Sequence, residues 1–168
     1  MSDTYLKIVP KNFDFIPEQA KQRLAMEMLE KLAPDGEGVQ VEVHERVQFI
    51  DQGEYLEAII CPLCGSRLNI DYFSENDPIR AWWDEAIIKA DENAGKGTFK
   101  LDDQCNLAMP CCQGRAQFTS LRFHSPAGFA RFELSILNPG IADPLPEENM
   151  RKLEATLGCE LVQVWARY

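Results

Sequence analysis

"TYLKIVPKNFDFIPEQAKQRLAMEMLEKLAPDGEGVQVEV" runs from Thr4 to Val43 and reads as strand, helix, strand. "TYLKIV" suits a short strand. Pro17 and Glu18 open a helix, because proline is tolerated in the first turn and an acid there complements the helix dipole. Leu24, Met28 and Leu32 recur at four-residue intervals, with Ala25 and Leu29 beside them, which predicts one apolar face. "APDG" at 33–36 stops the helix. Val39, Val41 and Val43 then alternate with polar residues, as in a half-buried strand. Val47 and Phe49 resume the alternation after an irregularity near His44.

The last forty residues repeat this plan. "ARFELSIL" places Phe132, Leu134 and Ile136 on one face. A helix follows with Met150, Leu153 and Leu157 on one side, and Gly158 fits the left-handed position that ends it. "ELVQVWARY" is a closing strand with Val162, Val164 and Ala166 on one face. Pro10 with Pro139, Pro17 with Pro146, Glu18 with Glu147, Leu24 with Leu153 and Met28 with Leu157 share one spacing. Two β-α-β units joined by a long insertion predict an α+β fold: a ferredoxin-like split β-α-β sheet with an inserted zinc-ribbon-like subdomain. The expected division is 1–50 for the first unit, 51–126 for the zinc-binding insertion and 127–168 for the second unit. Residues 1–50 and 127–168 together form one domain. An insertion of that length has little core of its own and needs a staple.

The staple is sought among six cysteines: Cys61, Cys64, Cys105, Cys111, Cys112 and Cys159. "CPLCG" at 61–65 is a metal knuckle: the two-residue spacer lets both sulfurs aim at one ion, and the glycine permits the tight turn. Cys111 and Cys112 are adjacent, so both reach one ion only from a turn, which Pro110 and Gly114 favour. Cys61, Cys64, Cys111 and Cys112 therefore read as a closed structural Zn2+ site. Cys105 or His124 in place of one member of the second pair is the main alternative, and six buried thiols without metal is the other. Cys159, between a helix end and a strand, reads as core packing.

Nothing in the sequence makes this site catalytic. A catalytic zinc keeps an open position beside an acid or base. His44 is followed by Glu45 and Arg46, which fits neither a zinc deaminase nor an "HExxH" helix. Gly95-Lys96-Gly97-Thr98 lacks the phosphate-loop pattern and reads as a turn into the strand "TFKL". "DPIRAWWDEAIIKADEN" reads as a helix. Its adjacent Trp82 and Trp83 cannot both face one core, so Trp82, Trp83, Asp84 and Glu85 are candidate partner-binding residues. Burial of both tryptophans between the insertion and the main sheet is the alternative. Asp84, Glu85, Asp91 and Glu92 form an acidic face.

The 168 residues are 45% hydrophobic and 26% charged, ordinary for a soluble globular chain. No apolar run approaches the roughly 18 residues of a membrane helix, and "MSDTYLKIVPKNFDF" lacks a basic-then-apolar leader, so the expected location is cytoplasmic. Acids outnumber bases 27 to 17, a formal charge of −10 that argues against phosphate backbones; solubility is the plain reading of this acidity and a basic protein partner the sharper one.

"YLKIVP", a helix opening at proline, "CPLCG", a "WW" helix, "PCCQG" and "PAGFARFELSILNP", in this order, resemble a group of small uncharacterised bacterial proteins. The resemblance spans most of the chain. It implies a bacterial, cytosolic protein with a zinc held by Cys61, Cys64, Cys111 and Cys112, leaves Cys105 and Cys159 outside the pattern, and supplies no substrate. The expected function is a non-enzymatic, zinc-stabilised protein-binding module, in its most concrete form an immunity protein that neutralises a basic bacterial toxin. A zinc-ribbon adaptor of nucleic acid or the transcription machinery is the alternative, with Arg67, Arg115 and Arg122 as a local basic spot, and a zinc metalloenzyme ranks below both.

Overall fold

The computed structural model describes residues 2–94 and 106–168. The protein is mixed α+β, with three α-helices and antiparallel sheets among the described residues. In chain order its elements are β1 (Thr4–Pro10), α1 (Gln19–Leu32), β2 (Glu37–Ile50), β3 (Ala58–Ile60), β4 (Arg67–Asn69), α2 (Pro78–Ala94), β5 (Asn106–Ala108), β6 (Arg115–Gln117), β7 (Arg122–Phe123), β8 (Gly128–Leu137), α3 (Glu147–Leu157) and β9 (Leu161–Arg167). Cys105 and the turn expected at Gly95–Thr98 lie outside the described residues.

The long strands form one four-stranded sheet in the order β2-β8-β1-β9, with every neighbour antiparallel. Leu6, Ile8, Phe132, Leu134 and Ile136 project from its central strands into a core closed by Ala25 and Leu29 of α1 and Met150, Leu153 and Leu157 of α3. Helix α1 buries Ala25 and Leu29 completely but leaves Leu24 56% exposed. The expected repeat spacing is therefore one residue too long. Buried Leu6, Ile8, Ala25 and Leu29 each correspond to Leu134, Ile136, Leu153 and Leu157, which are 128 positions further on. The prolines misled because they occupy different places: Pro146 is itself the N-cap of α3, whereas Pro17 precedes the N-cap Glu18 of α1. Proline tolerates both, since its missing N–H is unpaired there anyway.

The β2–β8 ladder slips between the Val43–Phe132 and Gln48–Ala130 pairs, so several residues around His44 bulge out opposite Arg131. Arg131 ties the bulge down, donating from Nε to the His44 carbonyl (3.3 Å) and pairing through Nη1 with Asp14 (3.3 Å). Val43, on the outer side of this edge strand, is exposed. Past the bulge, β2 and β8 run on into the insertion. Gln52, fully buried, donates through Nε2 to the Ser125 carbonyl (2.9 Å), and Gly53 bridges Arg167 of β9.

The insertion has more of a core than expected. Trp83 of α2 is 5% exposed and packs among Phe49, Phe118 and Phe123, with ring centroids 5.3, 6.2 and 5.9 Å away. Val47 and Phe129 from the main ladder belong to the same cluster, together with Ile59, Leu68, Leu107 and Met109. Among the described residues the strands of the insertion are short: β3 pairs with β4 and β7, and β5 with β6, over two or three residues each. No helix among the described residues is long and apolar enough to cross a membrane.

Candidate metal centre

Each short hairpin carries a knuckle at its turn, and the two knuckles share one hydrogen-bond plan. In the first, Cys61 N–H donates to the Ser66 carbonyl (2.9 Å) and Gly65 N–H to the Cys61 carbonyl (3.0 Å). In the second, Met109 N–H donates to the Gly114 carbonyl (2.8 Å) and Gln113 N–H to the Met109 carbonyl (2.8 Å). The correspondence runs through Pro62 with Pro110, Cys64 with Cys112 and Arg67 with Arg115, all at one spacing, and the flanking strands keep it. Buried Met109 thus stands where the first knuckle has Cys61, and the fourth sulfur comes from the next turn residue but one, Cys111, which matches Leu63. Gly65 adopts φ +75°, where glycine is unstrained; Gln113 holds φ 57° at the matching place without that freedom. Gly114 lets the turns approach closely: a Cβ there would lie 2.6 Å from Leu63 Cδ1 and would push that exposed side chain aside.

The turns bring Cys61, Cys64, Cys111 and Cys112 together, with all four sulfurs within 4.8 Å of one another. Cys64 and Cys111 are 3.4 Å apart, and Cys61 and Cys112 are 3.9 Å apart. A tetrahedral ion with metal–sulfur bonds of about 2.3 Å sets its sulfurs about 3.8 Å apart. The four sulfurs are therefore close enough together to hold a metal ion. Cys61 is buried and the other three lie toward the surface, so an ion has a way in.

Electrostatics agree with a set built to receive a cation. Cys64 Sγ lies 3.2 Å from Ser66 Oγ; the Ser66 hydroxyl, then its backbone N–H, then the Cys111 thiol favour the thiolate and bring Cys64 down to about 6. Cys111 is pushed up to about 12, first because its sulfur is withdrawn from water inside the cluster and then because Cys64, Cys61 and Cys112 crowd it. At Cys112 the Gly114 amide hydrogen bond favours the thiolate, but burial and the Cys61 and Cys64 sulfurs leave the thiol raised. One proton leaves easily and the next is held, until a cation neutralises the second thiolate.

His124, the alternative ligand, lies elsewhere. Its Nδ1 is 3.0 Å from Arg67 Nη1 and its Nε2 is 3.7 Å from Glu57 Oε2. Cys159 packs half-buried against the helix–sheet core, where burial raises its thiol. The candidate partner-binding group divides. Trp83 is a core residue, so its proposed outward role is replaced by packing; the aromatic cluster offers a ring more contact than solvent does. Trp82 is half-buried and donates from Nε1 to the Ala108 carbonyl (3.0 Å), tying α2 to the second hairpin. Asp84 and Glu85 remain exposed and pair along the helix with Arg80 and Lys89. Phe73 is fully exposed beside Tyr72, which is 41% exposed. Two neighbouring aromatics within the polar stretch "DYFSEND" were the signal for that spot.

Comparison with protein-family models, with curated proteins and with solved structures gives no match.

Proposed function

We propose that this chain is a non-catalytic protein-binding module: a ferredoxin-like split β-α-β frame whose zinc-ribbon-like insertion is stapled by Zn2+. The strand order β2-β8-β1-β9 with both helices in one core supports the frame, and the paired knuckles support the ribbon. The observation that carries the reading is the set of four cysteine sulfurs gathered within 4.8 Å of one another. Four thiolates complete the coordination of zinc and leave no position for a reacting water. The exposed Phe73 and the charge of −10 support a protein partner with basic character. Its most concrete form is an immunity protein that occludes a basic bacterial toxin.

Elemental analysis of the purified protein should give one zinc per chain, with four thiols protected from titration until a chelator is added. Affinity capture from the native bacterium should then recover a basic protein. Absence of zinc overturns the staple, and recovery of no partner overturns the binding role. The adaptor reading has one observation of its own, since Arg67 and Arg115 are exposed at matching positions of the two knuckles. A salt-dependent gel shift on nucleic acid would favour it.

A further inference from the structure

The loop between β4 and α2 keeps a phenyl ring in solvent while its backbone is held in place. Asp71 Oδ1 accepts from the Phe73 N–H (2.9 Å), and Asp77 accepts from the Asp71 N–H (2.7 Å) and the Ile79 N–H (3.0 Å). Arg80 Nη1 donates to the Tyr72 carbonyl (3.3 Å), and its guanidinium lies over the Tyr72 ring, 5.2 Å from the centroid. Phe73 is fully exposed at the tip of this loop. Among the described residues the next most exposed large apolar side chain is Ile88, at 57%. Aromatic side chains dominate the binding energy of protein interfaces. A ring carried on a backbone already fixed loses little further freedom when a partner covers it.

The ring stands in an acidic field. Asp71, Glu75, Asp77, Asp84 and Glu85 are the acids of the stretch 71–85, and Arg80 is its one base. Burial first, then the charge of Asp84, with Arg80 opposing and Asp51 adding, raises the Tyr72 hydroxyl, which sets Asp84 and Asp51 beside the loop. The ion pairs of α2 here are Arg80 with Asp84 and Lys89 with Glu85. They leave Asp71, Glu75 and Asp77 with no cation within ion-pair distance among the described residues.

Charge decides what can cover Phe73. A second copy of the chain carries a charge of −10 itself and is repelled. A basic protein surface is attracted and steered to the loop. The ring narrows the partner further, because a cation over an aromatic face adds attraction. Tyr72 already has such a cation in Arg80, and Phe73 has none among the described residues.

We propose that Phe73 and the acids around it are the docking point for a protein partner, which engages them with an arginine or lysine set beside an apolar residue. The apolar residue packs on the ring, and the cation meets the carboxylates of Asp71 and Glu75. The inference rests on the protein-binding role proposed above and assigns it a surface.

The test pans a phage-displayed library of random short peptides on the full chain, purified with zinc present. Enriched sequences should combine Arg or Lys with Leu, Phe or Trp. A synthetic copy of the most enriched peptide, titrated by calorimetry, should bind Phe73→Ala at least ~tenfold more weakly and Glu75→Gln several-fold more weakly. Its binding to the wild type should weaken as salt rises. Leu24→Ala, which trims an exposed leucine on α1, should bind like the wild type. Phe73→Ala should also melt with the wild type; if it does not, the charge reversal Glu75→Lys decides. Enrichment of acidic sequences, enrichment of none, or equal binding by Phe73→Ala overturns the proposal. A dimer in sedimentation that Phe73→Ala dissolves overturns it too, since the occupant is then a second copy. Affinity capture of a basic protein equally by the wild type and Phe73→Ala overturns the docking point alone. Capture of none, with no peptide enriched, overturns the binding role as well.

Discussion

The four-stranded sheet and the insertion hold themselves together by different means. The sheet layer is aliphatic and long-laddered: Leu6, Ile8, Leu29, Leu134, Leu153 and Leu157 are completely buried, and β1 pairs with β9 over seven residues. The insertion is aromatic and short-laddered, with rings of Phe49, Trp83, Phe118 and Phe123 above hairpins whose strands are three residues long. A three-residue hairpin is marginal in water by itself. Rings supply contact area but not register, and the proposed metal on the cysteine set would fix where the two turns meet.

The largest expected effect removes that fix. With the proposed zinc bound, chelation, or Cys61→Ser, should eliminate a coupling on the order of 10 kcal/mol between metal binding and local folding. Hydrogen exchange should then lose protection at 58–69 and 106–117 while residues 4–10, 130–137 and 161–167 keep theirs. Equal loss in both regions would erase the contrast. Next come matched truncations, Trp83→Ala and Phe132→Ala, each expected to cost about 3–5 kcal/mol. Phe132→Ala should lower the cooperative urea transition of the sheet. Trp83→Ala should instead expose the insertion selectively, read as proteolysis within it before global unfolding.

Smaller effects sharpen the contrast from each side. Gln113→Gly removes a left-handed strain of about 1 kcal/mol from the second knuckle, and a slower exchange of zinc with a chelator would register it. Glu133→Gln acts on the sheet alone. Glu133 is raised in the folded state, so folding is favoured as pH falls through that raised value toward its unfolded value and disfavoured as pH rises above it. The dependence is less than about 1.4 kcal/mol per pH unit. Glu133→Gln should flatten the acid side of a stability–pH curve and leave chelator kinetics unchanged.

How much could be read from the chain follows the same division. Alternation at Phe132, Leu134 and Ile136 and the helix stop at Gly158 announce the sheet layer because a one-residue slip would put leucines in water. The α1 face was displaced by one residue because Leu24 is apolar yet exposed, and burial alone separates it from Ala25. "CPLCG" declares the first knuckle by itself. The second was hard to align with it, since Met109 replaces a cysteine and only the backbone hydrogen bonds reveal the match.

The bond between Gln52 and Ser125 has a kinetic consequence. It closes the root of a chain segment that separates β2 from β8, the most extensively paired neighbours in the sheet. Until that root closes, pairing them means gathering a long flexible loop, whose entropic cost grows with its length. A folded insertion replaces the loop with a short rigid clip. Uptake of the proposed zinc should therefore speed the formation of a sheet it never touches, and refolding monitored at Trp165 of β9, with Trp82 and Trp83 replaced by phenylalanine, should run faster with metal present than without it.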